Sequence, residues 1–249
     1  ITLLGKLLRK IIGLFADDAL PYSIDAKSDA TINDVIPTLA EMLTKGLDVL
    51  SQNKNGFFVQ VEAGKVDWAA HANDAGALVY DQLAFDDAIK VAVDFADKNE
   101  DTLVIITTDH GNANPGVFYG ENASEKFKKV LSFSQSNDAM LNSIKVTDTA
   151  DKVIAVIEKG TQITISKEEA AHILSYYKDL SETGVYNYKK LPYKYLGELL
   201  KKYTNIGFGD MDHSGDHVEL AFYGKGQEKL IPFIKNYEIH NLLLDIALP

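Results

Sequence analysis

The pattern of apolar and polar positions predicts alternating helices and strands over the first 110 residues. Ile36–Asn53 is predicted to be a helix, because its apolar residues recur on one face and Pro37 suits a first turn. Phe57–Glu62 is a short apolar run that predicts a buried strand. A long helix is predicted over Asp74–Lys98, followed by a second buried strand at Thr102–Thr107. This order favours a parallel sheet covered by helices.

The pattern changes in the second half of the chain. Between residues 116 and 209, helical patterns alternate with polar loops, and Ser166 with Glu169 forms a capping box at the start of one helix. His217–Tyr223 then alternates between apolar and polar residues, which predicts a third strand. A last helix is predicted near Tyr237–Ile246.

Together these elements predict an α/β fold with a largely helical insertion. We expect a three-layer sandwich with a mostly parallel central sheet flanked by helices. Residues 1–115 would form part of the core, residues 116–209 a crown-like or lid-like insert, and residues 210–249 the return of the chain to the core.

The composition is that of an ordinary globular protein and excludes several classes. Apolar residues make up 46% of the 249 positions and charged residues 24%, which argues against bulk disorder. The absence of cysteine excludes disulfides, thiolate metal sites and cysteine nucleophiles. A net charge of −11 argues against general nucleic-acid binding, and a surplus of carboxylates suits metal cations.

The start of the chain predicts neither a membrane span nor a signal peptide. Ile1–Phe15 mixes apolar residues with Lys6, Arg9 and Lys10, and its longest apolar run is shorter than the roughly 20 residues a span needs. Because the first residue is not Met, we expect the sequence to be an internal segment of a longer chain.

The first candidate for chemistry is the cluster Glu62, Asp67 and His71. Asp67 and His71 are four residues apart, so a helix would place both side chains on one face, where they could bind one ion. Glu62 ends the preceding predicted strand, close enough for a neighbouring ion. The alternative is a solvated aspartate and a surface histidine.

Two further clusters lie at strand ends. Asp109 and His110 follow the second strand, where their oxygen and nitrogen ligands would suit zinc or manganese. His213 lies in the polar segment Asp212–His217, just before the last strand. The alternatives are an aspartate that caps a turn beside an uninvolved histidine, and a solvated polar loop.

Taken together, the three clusters resemble the alkaline phosphatase family. GFFVQVEAGKVDWAAHANDAG resembles the family's central metal motif, and TLVIITTDHGN resembles its second. DHSGDHVELAFYG resembles the last motif, with His-Ser-Gly where the family has His-Thr-Gly. The resemblance covers nearly the whole chain outside the helical insert.

The resemblance implies a ligand set for two zinc ions and one magnesium ion. Asp67, His71 and His213 would hold the first zinc, and Asp109 and His110 the second. Two zinc ions about 3.5–4 Å apart can bind the attacking and leaving oxygens of a phosphoryl displacement.

This sequence departs from the family pattern in two ways: several of the family's residues have no counterpart, and Trp68 replaces a Lys or His. Glu62 would bind magnesium, but the family's other magnesium and zinc ligand, its phosphate-binding arginine and its nucleophilic serine have no counterpart here. No catalytic residue is therefore assigned in this chain, which resembles the C-terminal part of a phosphatase. Trp68 stands where many relatives have Lys or His, and is expected to be an uncharged neighbour of the phosphate. Packing of its indole ring is the alternative.

We expect hydrolysis of small phosphomonoesters through a phosphoserine, with the missing N-terminal half as a partner. The resemblance further implies a homodimer and a periplasmic or secreted location. Two alternatives stay open. TTDHGNAN also resembles phosphoglycerate mutases of the same superfamily, and the chain could be a non-catalytic metal-binding fragment that needs its other half.

Overall fold

The computed structural model describes residues 10–180 and 190–247. The α-helices in this part of the chain are α1 (Ser23–Ser28), α2 (Ala30–Asn33), α3 (Leu39–Leu50), α4 (Gly64–His71), α5 (Ala75–Ala96), α6 (Ala123–Lys128), α7 (Asn137–Ser143), α8 (Ala150–Thr161), α9 (Lys167–Ser175), α10 (Tyr193–Thr204) and α11 (Ile239–Ala247). The strands are β1 (Leu103–Thr107), β2 (Gly111–Asn112), β3 (Gly116–Val117), β4 (Ile206–Gly207), β5 (His213–Ser214) and β6 (Leu220–Gly224).

The predicted helices of the first half are confirmed, with shorter ends. α3 begins after Thr38, whose side chain accepts from the Glu41 amide, while the Glu41 carboxylate accepts from the Thr38 amide. This capping box sets the start of the helix, so Pro37 lies before the cap and not in the first turn. α5 begins where predicted, with Asp74 as its N-cap.

The described strands form three antiparallel pairs. β1 pairs with β6 in the register from Leu103 opposite Gly224 to Thr107 opposite Leu220. β2 pairs with β5, and β3 pairs with β4. The predicted parallel central sheet is therefore not confirmed within the described residues. The strand predicted at His217–Tyr223 begins three residues later, at Leu220.

The prediction of a buried strand at Phe57–Glu62 is wrong. These residues form neither helix nor strand, and the Phe58 side chain is 75% exposed. A strand needs a neighbour for its backbone hydrogen bonds, and no described strand pairs with this segment. Phe57 and Val61 nevertheless pack towards α3 and α5, since the Phe57 ring meets Phe95 edge-on at 6.0 Å.

The main hydrophobic core lies between the helices of the second half and the helices α1, α4 and α5. Tyr193, Leu196 and Ile173 are among its fully buried side chains. The capping box of Ser166 and Glu169 starts α9, as predicted. Residues 116–209 are largely helical here, while the boundaries of an insert stay a prediction.

The end of the chain also follows the sequence pattern. A short 3-10 turn at Asn236–Glu238 leads into α11, which takes the place of the helix predicted at Tyr237–Ile246. Among the described residues, no helix is both long enough and apolar enough to cross a membrane.

Candidate metal centre

The first two predicted ligands lie on one face of α4. This helix begins at Gly64 and ends at His71, so the four-residue spacing places Asp67 one turn before His71. The Asp67 Oδ2 atom is 3.5 Å from His71 Nε2. His71 is mostly buried and Asp67 is about one-third exposed. The helical condition on which the pairing of Asp67 with His71 depended is thus met in the structure.

The antiparallel pair β2–β5 brings in the third residue. Its register places Asn112 opposite His213 and Gly111 opposite Ser214. His213 Nε2 lies 3.1 Å from His71 Nε2 and 3.9 Å from Asp67 Oδ1. The three side chains each offer one ligand atom, and these atoms lie within 4.8 Å of one another. Residues 142 positions apart thus form one cluster of two imidazoles and a carboxylate.

Hydrogen bonds outside the cluster orient two of its members. His71 Nδ1 lies 2.5 Å from the Met211 carbonyl oxygen. A carbonyl oxygen only accepts, so Nδ1 carries a proton, and in the neutral imidazole Nε2 then presents its lone pair to the cluster. The Asn112 amide donates to Asp67 Oδ1 at 2.6 Å, which fixes the carboxylate. Such outer partners are typical of metal-binding histidines and carboxylates.

His110 lies directly against this cluster. Its ring stacks on the His213 ring, with centroids 3.6 Å apart and an interplanar angle of 25°. Its Nε2 atom is 3.4 Å from Asp109 Oδ2, and the Asp109 side chain is 83% exposed. The structure therefore places this imidazole–carboxylate pair beside the Asp67, His71 and His213 cluster, at the end of β1.

Glu62 and Trp68 lie apart from these contacts. Glu62 is exposed, with its carboxylate turned towards the Gly64 backbone. Within the described residues, no hydrogen bond or ion pair joins it to the cluster. Trp68 packs against the main core, with the Lys65 ammonium 4.0 Å from its ring centroid. The roles predicted for both residues stay predictions.

The donor set fits zinc. Two imidazole nitrogens and one carboxylate oxygen are the ligands of many catalytic zinc sites, which leave a coordination position for water or substrate. The exposure of His213, whose side chain is 52% accessible, keeps one side of the cluster open to solvent. The second pair, His110 and Asp109, supplies the same kinds of atom.

Three contributors to this site were not assigned a role from the sequence. Asn112 stands within the second motif, but its bond to Asp67 depends on how β2 and β5 pair. Asn73 donates to the Asp210 carbonyl at 2.9 Å, and Met211 contributes only a backbone oxygen. A backbone acceptor carries no signal in residue type, so only the three-dimensional arrangement reveals it.

The fold and the cluster are those of an α/β protein with an open set of nitrogen and oxygen atoms that could hold a metal ion. Comparison with known proteins gives the family. The family model for alkaline phosphatase matches residues 5–248. This chain belongs to the alkaline phosphatase family.

Individual relatives agree with this assignment. Alkaline phosphatase 4 of Bacillus subtilis is 30% identical over 240 residues, which cover 96% of this chain and 48% of that protein. The alkaline phosphatase of Schizosaccharomyces pombe is 34% identical over 242 residues, covering 92% of this chain and 43% of that protein. The crystal structure of Thermus thermophilus alkaline phosphatase superposes with a TM-score of 0.85 at 26% identity, over 96% of this chain and 52% of that one.

The chain thus spans about half the length of the relatives it matches. The α/β fold class is shared with the Thermus thermophilus protein. These relatives are alkaline phosphatases, so the mutase interpretation of the second motif is not favoured.

Proposed function

We propose that this chain is part of an enzyme that hydrolyses phosphomonoesters with the help of bound metal ions. The observation that carries the proposal is the cluster of Asp67, His71 and His213, whose ligand atoms lie within 4.8 Å of one another. Membership of the alkaline phosphatase family supports the reaction class. The orientation of His71 by the Met211 carbonyl supports metal binding over a simple hydrogen-bonded cluster.

The proposed ligand set follows the three sequence motifs. Asp67, His71 and His213 would hold one zinc, and Asp109 with His110 would hold a second. Bound zinc supplies Lewis acidity, which lowers the pKa of a bound hydroxyl group and polarises a phosphoryl oxygen. The chain's own contribution is to fix these donors through Asn112 and the backbone.

Two further roles are proposed on the resemblance. Glu62 would bind a magnesium ion, and its exposed carboxylate is accessible for that purpose. Trp68 would lie near the bound phosphate, where its indole N–H can donate to an oxygen but adds no charge.

The reaction is proposed to pass through a phosphoserine whose serine lies outside this chain. The chain contains no Asp-Ser dipeptide, and it spans about half of its relatives. The 249 residues alone are therefore expected to be inactive and to need an N-terminal partner segment. The exposed Phe58 and the unpaired segment around it offer an apolar surface for that partner. We further propose that the intact protein is a homodimer and that it is located in the periplasm or outside the cell.

The test is zinc binding and p-nitrophenyl phosphate hydrolysis by the intact protein that contains this chain. His213→Ala is expected to lower zinc affinity at least tenfold and to remove most of the hydrolysis, because it deletes a ligand. His217→Ala is the matched control. His217 is an exposed histidine four residues further on, and its ring lies beside Phe233. Equal zinc affinity in the two variants would overturn the ligand assignment, and absence of phosphate release by the intact protein would overturn the reaction.

A further inference from the structure

Backbone hydrogen bonds tie the segment 208–212, which leads into His213, to Ala113, and the Lys194 ammonium pairs with the Asp210 carboxylate at 3.2 Å. The Gly209 amide donates to the Ala113 carbonyl at 2.8 Å, and the Ala113 amide donates to the Asp212 carbonyl at 3.0 Å. Ala113 is buried and has a left-handed backbone conformation, with φ of 52°. These bonds fix the segment on the side of β2.

The end of α4 binds the same segment from the other side. Asn73 Nδ2 donates to the Asp210 carbonyl at 2.9 Å, and His71 Nδ1 lies 2.5 Å from the next carbonyl, that of Met211. Two residues at the end of one helix therefore bind two consecutive carbonyls. One of these residues, His71, is also in the cluster.

Asn73 is rigidly placed for this bond. It is 4% exposed, and its backbone is left-handed with φ of 46°, a conformation that asparagine tolerates better than most residues. Its amide donates to the Ala70 carbonyl at 2.9 Å. A Cβ atom at Gly197 of α10 would be only 2.7 Å from the Asn73 carbonyl oxygen, so α10 packs directly against this residue.

We propose that Asn73 is a positioning residue of the metal centre. Through the Asp210 carbonyl it holds the segment 208–212 against α4, so that the Met211 carbonyl orients His71 and His213 enters the cluster. Asn73 contributes no atom to the cluster itself, and the inference rests on the proposed metal-binding function. Its role is to bring ligands from distant parts of the chain to a fixed separation before an ion binds.

The variant that isolates this role is Asn73→Gly. Glycine adopts the left-handed conformation without strain, so the substitution removes the side-chain donor and leaves the backbone free to keep its shape. Asn73→Asp is a second variant, measured at about pH 9 so that the buried carboxyl is ionised, because an ionised carboxylate keeps the size of asparagine but cannot donate to a carbonyl.

Asn205→Gly is the matched control. Asn205 also has a left-handed backbone, with φ of 57°, and follows the last residue of a helix, α10. Its Nδ2 atom also donates to a backbone carbonyl, that of Phe118, at 3.3 Å. This control therefore removes the same kind of bond at a place that does not touch the cluster or the segment 208–212.

The first measurement is zinc affinity, by competition with a chelator, on the intact protein. Asn73→Gly and Asn73→Asp are expected to lower the affinity about tenfold, as the loss of an outer partner commonly does. Asn205→Gly should change it less than twofold. Wild-type affinity in both Asn73 variants would overturn the inference.

The second measurement is hydrogen exchange of the Gly209 and Ala113 amides in the metal-free protein. Both should exchange at least several-fold faster in Asn73→Gly than in Asn205→Gly, since the segment 208–212 loses one of its attachments. Equal exchange rates in the two variants would overturn the inference even if zinc does not bind. Failure of wild-type zinc binding alone would overturn the proposed function, so the two failures are distinguishable.

Discussion

Two buried aspartates, Asp74 and Asp81, and the partly buried Asp25 join the helices α1, α5 and α7. Asp81 of α5 accepts from the amide and hydroxyl of Ser23 at the start of α1. Asp25 of α1 accepts from the amide and hydroxyl of Ser136, the N-cap of α7. Asp74 caps α5 and also accepts from the Asn137 amide. Each carboxylate thus binds the positive end of a helix, and all three are at least partly shielded from water.

Burial dominates the ionisation of these groups. It raises the pKa of Asp74 from 3.8 to about 7 and that of Asp81 to about 6, although their hydrogen bonds act in the opposite direction. Burial likewise raises the pKa of Asp25. A carboxyl group with a raised pKa binds its proton more tightly when folded, so its contribution to the free energy of unfolding is lost as pH rises from about 4 to about 7.

Asp74→Asn is therefore expected to be more destabilising at pH 5 than at pH 8. The variant loses the proton-linked stabilisation that the wild type has at pH 5. It also loses one acceptor oxygen at both pH values, and that oxygen belongs to an ionised carboxylate only at pH 8. Urea unfolding at the two pH values measures the difference.

The control for this prediction is Asp29→Asn. Asp29 caps α2 at an exposed position, and its hydrogen bonds with Thr31 lower its pKa, so it stays ionised at both pH values. The Asp29→Asn substitution should lower the free energy of unfolding by the same amount at pH 5 and at pH 8. An Asp74→Asn effect that is equal at both values, or larger at pH 8, would contradict the raised pKa.

At the scale of secondary structure, helices were predictable and one strand was not. The helices α3 and α9 each start at a capping box. The two residues of each box are three positions apart, so a local sequence pattern can indicate where the helix begins. The segment Phe57–Glu62 has the apolar composition of a strand, but a strand depends on a partner elsewhere in the chain. Local patterns do not identify that partner, so the strand prediction failed where the helix predictions succeeded.

Close packing between helices depends on Gly197 in α10. A methyl group there would lie 2.7 Å from the Cβ atom and the carbonyl oxygen of Asn73, inside normal contact distance. Gly197→Ala is expected to destabilise the protein by about 1–3 kcal/mol, because the backbone of Asn73 or the whole of α10 must move. Thermal or urea unfolding measures the loss.

Gly46→Ala in α3 is the matched control. Apart from the chain neighbours of Gly46 and the nearby backbone of α3, no heavy atom lies within 4 Å of the position that a Cβ atom would occupy there. Alanine has the higher helix propensity, so this variant should be up to about 1 kcal/mol more stable than the wild type. If both glycine variants changed stability by the same amount and sign, the close approach at Gly197 would not be the cause.

Across the whole molecule, the candidate site was predictable in part. Asp67 and His71 lie one helical turn apart, so their spacing identifies them as a pair. Only the family resemblance indicated that His213 joins this pair. The β2–β5 pairing that places His213 beside it is just two residues long, which is too short to predict from the sequence pattern. Asn73 and Asn112 act on partners distant in sequence, and no local pattern signals such bonds.

The exposed Phe58 is a second property of the whole molecule. Phe58→Ser is expected to reduce self-association of the 249-residue chain and to change the free energy of unfolding by less than about 0.5 kcal/mol, since the ring is 75% exposed. Sedimentation velocity and urea unfolding measure the two effects.

Phe57→Ser provides the contrast. The neighbouring ring meets Phe95 at 6.0 Å, so its loss should lower stability by about 1–3 kcal/mol. If the Phe58→Ser variant self-associated as strongly as the wild type, the Phe58 ring would not be part of a self-association surface.

The long sequence separation within the metal cluster has a consequence for the order of folding. His71 and His213 are 142 positions apart, whereas α8 and α9 pack as near neighbours along the chain. Closing a loop of that length costs entropy that nearby contacts do not. We therefore expect the cluster to assemble late, after the contacts between neighbouring helices, so that an ion bound there would slow unfolding more than it would speed folding.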